Sequence, residues 1–197
     1  MCRVNHDANG RPSGRREMSI GAPLDFAATA GRRLDQQQSA GILAGAGNLF
    51  DKAVRAWAEG DEERARLLVA RCLSLPYDEH EQAVPALWAA RLRVYTLVTN
   101  ALEASDEDDQ TWLDRIEEVL DESNGWQHEI LAYAVAEVGY SAGFTGASSS
   151  EVRRIADLAP DYDPELDPAD DLPAEQHEDF VVAAVALTAR LSTELRL

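Results

Sequence analysis

The chain reads as all-α, with antiparallel helical hairpins forming a bundle or a short right-handed stack of about six to seven helices. Three observations predict this. Apolar residues recur at i, i+3, i+4 spacing along most of the sequence. Glycine and proline punctuate that pattern at Gly60, Pro76 and Gly125. No segment shows the alternation of a half-buried strand. A length of 197 residues with 45% hydrophobic content suits one domain with tails.

Residues 1–33 are expected to be a disordered tail. Residues 1–17 hold Arg3, Arg11, Arg15 and Arg16 against Asp7 and Glu17, with no periodic apolar pattern, so they read either as a disordered basic arm or, the reading slightly favoured, as sequence ahead of a translation start at Met18. The helical domain is expected over 34–160. Segments 34–44 and 48–59 are helical, either separate or continuous, with Gly41, Gly45 and Gly47 weakening their join. Gly41 and Gly45, with Ala40 and Ala44, offer either a face for close helix approach or a flexible stretch. Ala53, Ala56 and Trp57 share one face, and Gly60 ends the helix because glycine reaches left-handed angles cheaply. Asp61 caps helix 62–75, where Glu62 and Glu63 suit the N-terminal dipole. Ala65, Leu68, Val69, Cys72 and Leu73 or Leu75 form its apolar stripe, and Pro76 stops it.

Helix 83–104 tolerates Pro85 in its first turn. Its stripe of Leu87, Trp88, Tyr95, Val98 and Leu102 is expected to be buried. Helix 109–122 is cleanly amphipathic, with Trp112, Leu113, Ile116, Val119 and Leu120 inward and its charges outward. Gly125 closes it, and helix 126–142 carries Ile130, Leu131, Ala134, Val135 and Val138. A loop from Gly143 to Ser150 precedes a short helix at 150–158. Residues 161–173 form an acidic, proline-rich linker, and residues 174–197 hold a terminal amphipathic helix. Phe180, Val181, Ala184, Val185, Thr188, Leu191 and Leu195 line one side of it. That stripe is most simply buried against the domain, a partner or second copy being the alternative.

The segment 47–76 resembles a single tetratricopeptide repeat. The matching positions are Ala53, Gly60, Asp61, Ala65 and Cys72. In that family small residues occupy the helix crossing, a Gly-Asp or Gly-Asn turn joins the helices, and a proline follows. Pro76 falls one residue early, Lys52 and Ala56 replace large apolar residues, and no second copy occurs at the period of about 34 residues. The resemblance implies stacked helical hairpins.

The net charge of −18 is localised. Residues 103–122 contribute −9 and residues 161–179 another −9, so the remainder is balanced. Direct nucleic-acid binding is disfavoured, since it needs a basic surface. A basic protein partner would be attracted. No apolar run reaches the roughly 18 residues of a membrane span and residues 1–17 lack a signal-peptide core, so a cytoplasmic protein without membrane attachment is expected. Cys2 and Cys72 are too differently placed for a disulfide, and Cys72 reads as a small buried hydrophobe.

One pattern invites chemistry. His80-Glu81, His128-Glu129 and His177-Glu178 recur 48 and 49 residues apart, each at a helix start. His80, His128 and His177 are therefore candidate metal ligands, although helix dipoles alone explain the glutamates. The run Asp161-x-Asp163-x-Glu165-x-Asp167 departs from a calcium loop, with Leu166 for the sixth-position glycine and Leu172 for the twelfth-position glutamate. Ser148-Ser149-Ser150 has no adjacent base, and no phosphate loop or nucleophile elbow occurs. No enzyme activity and no cofactor are expected. The leading expectation is a protein–protein interaction module or scaffold that binds a protein or peptide, with Trp88, Arg91 and Arg93 as partner-binding candidates. The alternatives are an acidic inhibitor or immunity-type protein neutralising a basic partner, with Asp106, Asp108 and Asp109 in its acidic stretch, and a metal-binding helical-bundle enzyme.

Overall fold

The computed structural model describes residues 26–76, 84–104, 111–145, 157–159, 168–169 and 172–195. Cys2, Met18 and the basic arm, His80, Asp106, Asp108, Asp109, the serine run and the aspartate run 161–167 lie outside the described residues, as does most of the helix read at 150–158. Six α-helices and no strand occur among the described residues. They are α1 (Phe26–Ala58), α2 (Glu62–Leu73), α3 (Val84–Ala104), α4 (Thr111–Glu122), α5 (Trp126–Thr145) and α6 (His177–Glu194), the last preceded by a 3-10 turn at Ala174–Gln176. Contacts divide the chain between Gln36 and Gln37; the packing below concerns the second unit.

The α1–α2 turn forms as its residue types dictate. Gly60 sits at φ +81°, the left-handed region that glycine enters without a Cβ clash. The Asp61 N–H donates to Ala56 O and the Gly60 N–H to Trp57 O, both at 2.9 Å. This pair of bonds is a Schellman motif, which satisfies carbonyls that the helix end would orphan. Asp61 Oδ1 accepts from the Arg64 N–H at 3.0 Å and so caps α2. Gly125, at φ +50°, makes the α4–α5 turn.

Two boundaries differ from the sequence expectation: α1 starts at Phe26, inside the span read as tail, and α5 runs to Thr145, into the stretch read as a loop from Gly143. Of the two forms left open for 34–59, α1 takes the continuous one, running unbroken through Gly41, Gly45 and Gly47. The alanine-rich stretch Ala27-Ala28-Thr29-Ala30 has high helix propensity, and three glycines weaken a helix without ending it. An added Cβ at Gly41, Gly45 or Gly47 would meet nothing within 4 Å, so these glycines do not serve close helix approach.

The core is organised around α6. Phe180, Val181, Val182, Ala184, Val185, Leu187, Thr188, Ala189 and Leu191 are all buried, more than half the circumference of the helix, with Ala183, Ala186 and Arg190 on the less covered side. Helix α6 packs on α2, α3, α4 and α5. Hairpins of an open stack touch only their chain neighbours, so contact between α6 and α2 makes this a closed bundle. Two further contacts hold its C-terminal end: Arg115 donates to Glu194 O at 2.8 Å, and Arg190 pairs with Glu122. Helix α1 joins the same core through Ala46, Phe50 and Ala53. Cys72 is fully buried, and its thiol donates to Ala46 O at 3.5 Å. Burial pushes the Cys72 pKa up from 9.0 to about 11, which keeps it a thiol at neutral pH.

Helix α3 presents a different face to the core than its large residues suggest. Its buried side is Ala86, Leu87, Ala89, Ala90, Val94, Val98 and Ala101, whereas Trp88 is 38% exposed and Tyr95 half-buried. Four of those buried residues are alanines, which let neighbouring helices approach closely and leave the bulkier Trp88 at the edge.

Candidate functional site

The large apolar side chains are nearly all inside. Among the described residues the exposed ones are Leu67, Trp88, Leu92 and Tyr140. Trp88 and Leu92 stand one helical turn apart on α3, so they form a continuous apolar ridge. A groove of about 270 Å³ runs between this ridge and α5, lined by Trp88, Arg91, Leu92, Tyr95, Ile130, Tyr133, Ala134 and Glu137, with Pro168 and Phe180 at its base and edge. A second groove, also about 270 Å³, lies on the other side of the ridge against α1, where Leu43, Ala44, Gly47 and Asn48 face Trp88, Ala89 and Leu92.

The polar groups beside the ridge are tied to the scaffold. The Arg91 guanidinium lies 5.4 Å from the centre of the Tyr133 ring, and its Nη2 is 3.4 Å from the Tyr133 hydroxyl oxygen. Such stacking holds the planar guanidinium in place. Arg93 pairs with Asp51 at 2.5 Å, linking α3 to α1. That pair is more than one-third exposed on both sides, a setting in which ion pairs contribute little stability. A shallower polar groove of about 320 Å³ continues from it, lined by Arg55, Thr96, Asn100 and Ser192 among others.

All three partner-binding candidates thus flank one ridge: Trp88 forms it, Arg91 faces the α5 groove and Arg93 the α1 groove. Leu92, Tyr95 and Tyr133 also belong to the site; Leu92 and Tyr133 were not singled out from the sequence, and Tyr95 was read only as part of a buried stripe. Leu92 follows Trp88 by four residues and Tyr95 by seven, the signal that would have found them.

The two described histidines of the candidate set, His128 and His177, each contact a backbone carbonyl. His128 Nδ1 lies 3.2 Å from Leu120 O, and His177 Nε2 lies 2.9 Å from Leu172 O. Because a carbonyl only accepts, each of these ring nitrogens carries the proton. His128 therefore satisfies a carbonyl in the last turn of α4, and His177 fixes the segment leading into α6. No group of three metal-ligating side chains occurs among the described residues. The recurring Gln-His-Glu at 127–129 and 176–178 marks two helix starts at which histidine bonds back to the preceding segment.

Of the first acidic stretch, Asp114, Glu117, Glu118, Asp121 and Glu122 are exposed on α4. Arg115, its lone cation, is directed to the end of α6. No described helix is long and apolar enough to cross a membrane. No protein-family model, curated protein or solved structure matches this chain.

Proposed function

We propose that this protein is a protein–protein interaction module that receives a protein or peptide along the α3 ridge. The observation that carries the reading is the exposure of Trp88 and Leu92 side by side with a groove on each flank, whereas Leu67 and Tyr140, the other exposed large apolar residues among those described, stand apart from it. An aromatic residue beside an immobilised arginine is the composition of a binding hot spot. Arg91, held over Tyr133, loses little freedom on binding. Apolar side chains of the partner fill the grooves while Arg91 donates to a carbonyl or carboxylate at the rim. A photo-crosslinking residue at Glu137, which lines the α5 groove, tests it, with one at the remote exposed Leu67 as control. A discrete adduct formed at Glu137 and absent at Leu67 is expected; the same products at both positions would refute it.

The exposed carboxylates of α4 support a second reading, an acidic inhibitor of a basic partner. Its binding would fall steeply with salt, whereas binding on the apolar ridge would survive.

A further inference from the structure

We infer that α1 carries a hinge at Gly41–Gly47, and that opening there uncovers the α1 side of the Trp88–Leu92 ridge; this rests on the reading of that ridge as the binding surface. The glycines themselves are the first observation. Three occur in seven residues of a continuous helix, and a Cβ at any of them would meet nothing within 4 Å. Packing therefore does not require glycine at these positions. Each lowers the helix equilibrium about five-fold relative to alanine, roughly 100-fold for the three together.

The second observation is where α1 is anchored. Among residues 39–47 the only buried side chain is Ala46, whereas Phe50, Ala53 and Ala56 are all buried further along. The weak stretch of backbone thus coincides with the weakly held stretch of packing. Local opening draws on such regions, because little buried surface is lost when they unfold. The helix C-terminal to Gly47 stays docked through Phe50, Ala53 and the Asp51–Arg93 pair.

The third observation gives the opening a consequence. Leu43, Ala44 and Gly47 form the α1 wall of the groove whose floor includes the buried Ala89 and whose other wall is Trp88 and Leu92. Unwinding as far as Gly47 removes that wall. The groove widens into an open face on which a partner helix can lie, and Ala89 becomes accessible. Binding there is coupled to the opening equilibrium, so the hinge sets how much of the surface is available.

Hydrogen exchange of the full chain, read by mass spectrometry, tests the hinge. Amides of 39–47 are expected to exchange far faster than those of 48–58. In the triple variant Gly41→Ala, Gly45→Ala, Gly47→Ala they are expected to slow by roughly 100-fold. Equal protection of the two segments in the native sequence, or no slowing in the variant, would overturn the hinge. Alkylation at Ala89→Cys, read by peptide mapping so that Cys2 and Cys72 are distinguished, tests the uncovering. It is expected to slow in parallel in the triple-alanine background; an unchanged rate would overturn the uncovering. Neither measurement involves a partner, so either failure is separate from a failure of the binding reading.

Discussion

At the scale of single residues, local chemistry and neighbourhood act differently. Gly60, Asp61 and Gly125 do what their types dictate, because a tight turn needs only a few adjacent residues to agree. Gly60→Ala forces a Cβ into the left-handed region and is expected to cost about 1 kcal/mol in denaturant unfolding. Cys72 has a folded pKa of about 11 against 9.0. Below pH 9 both folded and unfolded states hold the proton and its contribution is intact. Between about 9 and 11 only the unfolded state releases it, so stability falls by about 1.4 kcal/mol per pH unit. Cys72→Ala should be less stable at neutral pH yet lose that part of the alkaline slope; an unchanged slope would show that the thiol is not responsible. Thr99 Oγ1 is buried with no hydrogen-bond partner, so the near-isosteric Thr99→Val should raise stability by about 1 kcal/mol. The exposure of Trp88 and the carbonyl contacts of His128 and His177 were not legible in the sequence. Periodicity gives a helix's apolar side but not which neighbour covers each part of it, and hydrogen bonds reaching five or eight residues back depend on the loop path.

At the scale of elements, the helices α2 to α5 were legible from their apolar periods, helped by turn residues at Gly60, Pro76 and Gly125, whereas Gly143 lies inside α5 and does not end it. The terminal helix was legible as amphipathic and was expected against the domain, yet which helices it meets was not legible. A stripe of Phe180, Val185 and Leu191 requires burial, but only the fold shows α6 surrounded by α2, α3, α4 and α5. It is the centre of the bundle and not an appendage. Leu187 is fully buried there, and Leu187→Ala should cost about 2–5 kcal/mol. Removing residues 174–197 should abolish cooperative thermal unfolding altogether; a truncated chain that still melted cooperatively would mean that the other helices form a core of their own.

At the scale of the whole molecule, charge and apolar surface make separate contributions. The carboxylates of α4 face outward, and a net charge of −18 repels itself across the compact state. Melting temperature should therefore rise between roughly 0.01 and 0.5 M salt as those charges are screened; a flat dependence would mean that they are compensated within the fold. The apolar ridge of Trp88 and Leu92 is where a partner gains most from contact. The most direct measurement compares native-sequence protein with Trp88→Ala, Leu92→Ala in affinity purification from native extract, washed at about 0.5 M salt, with folding of both confirmed by thermal melts. Specific partners retained by the native sequence and depleted more than about ten-fold by the variant are the expected result. Partners retained equally by both proteins would contradict a binding role for the ridge.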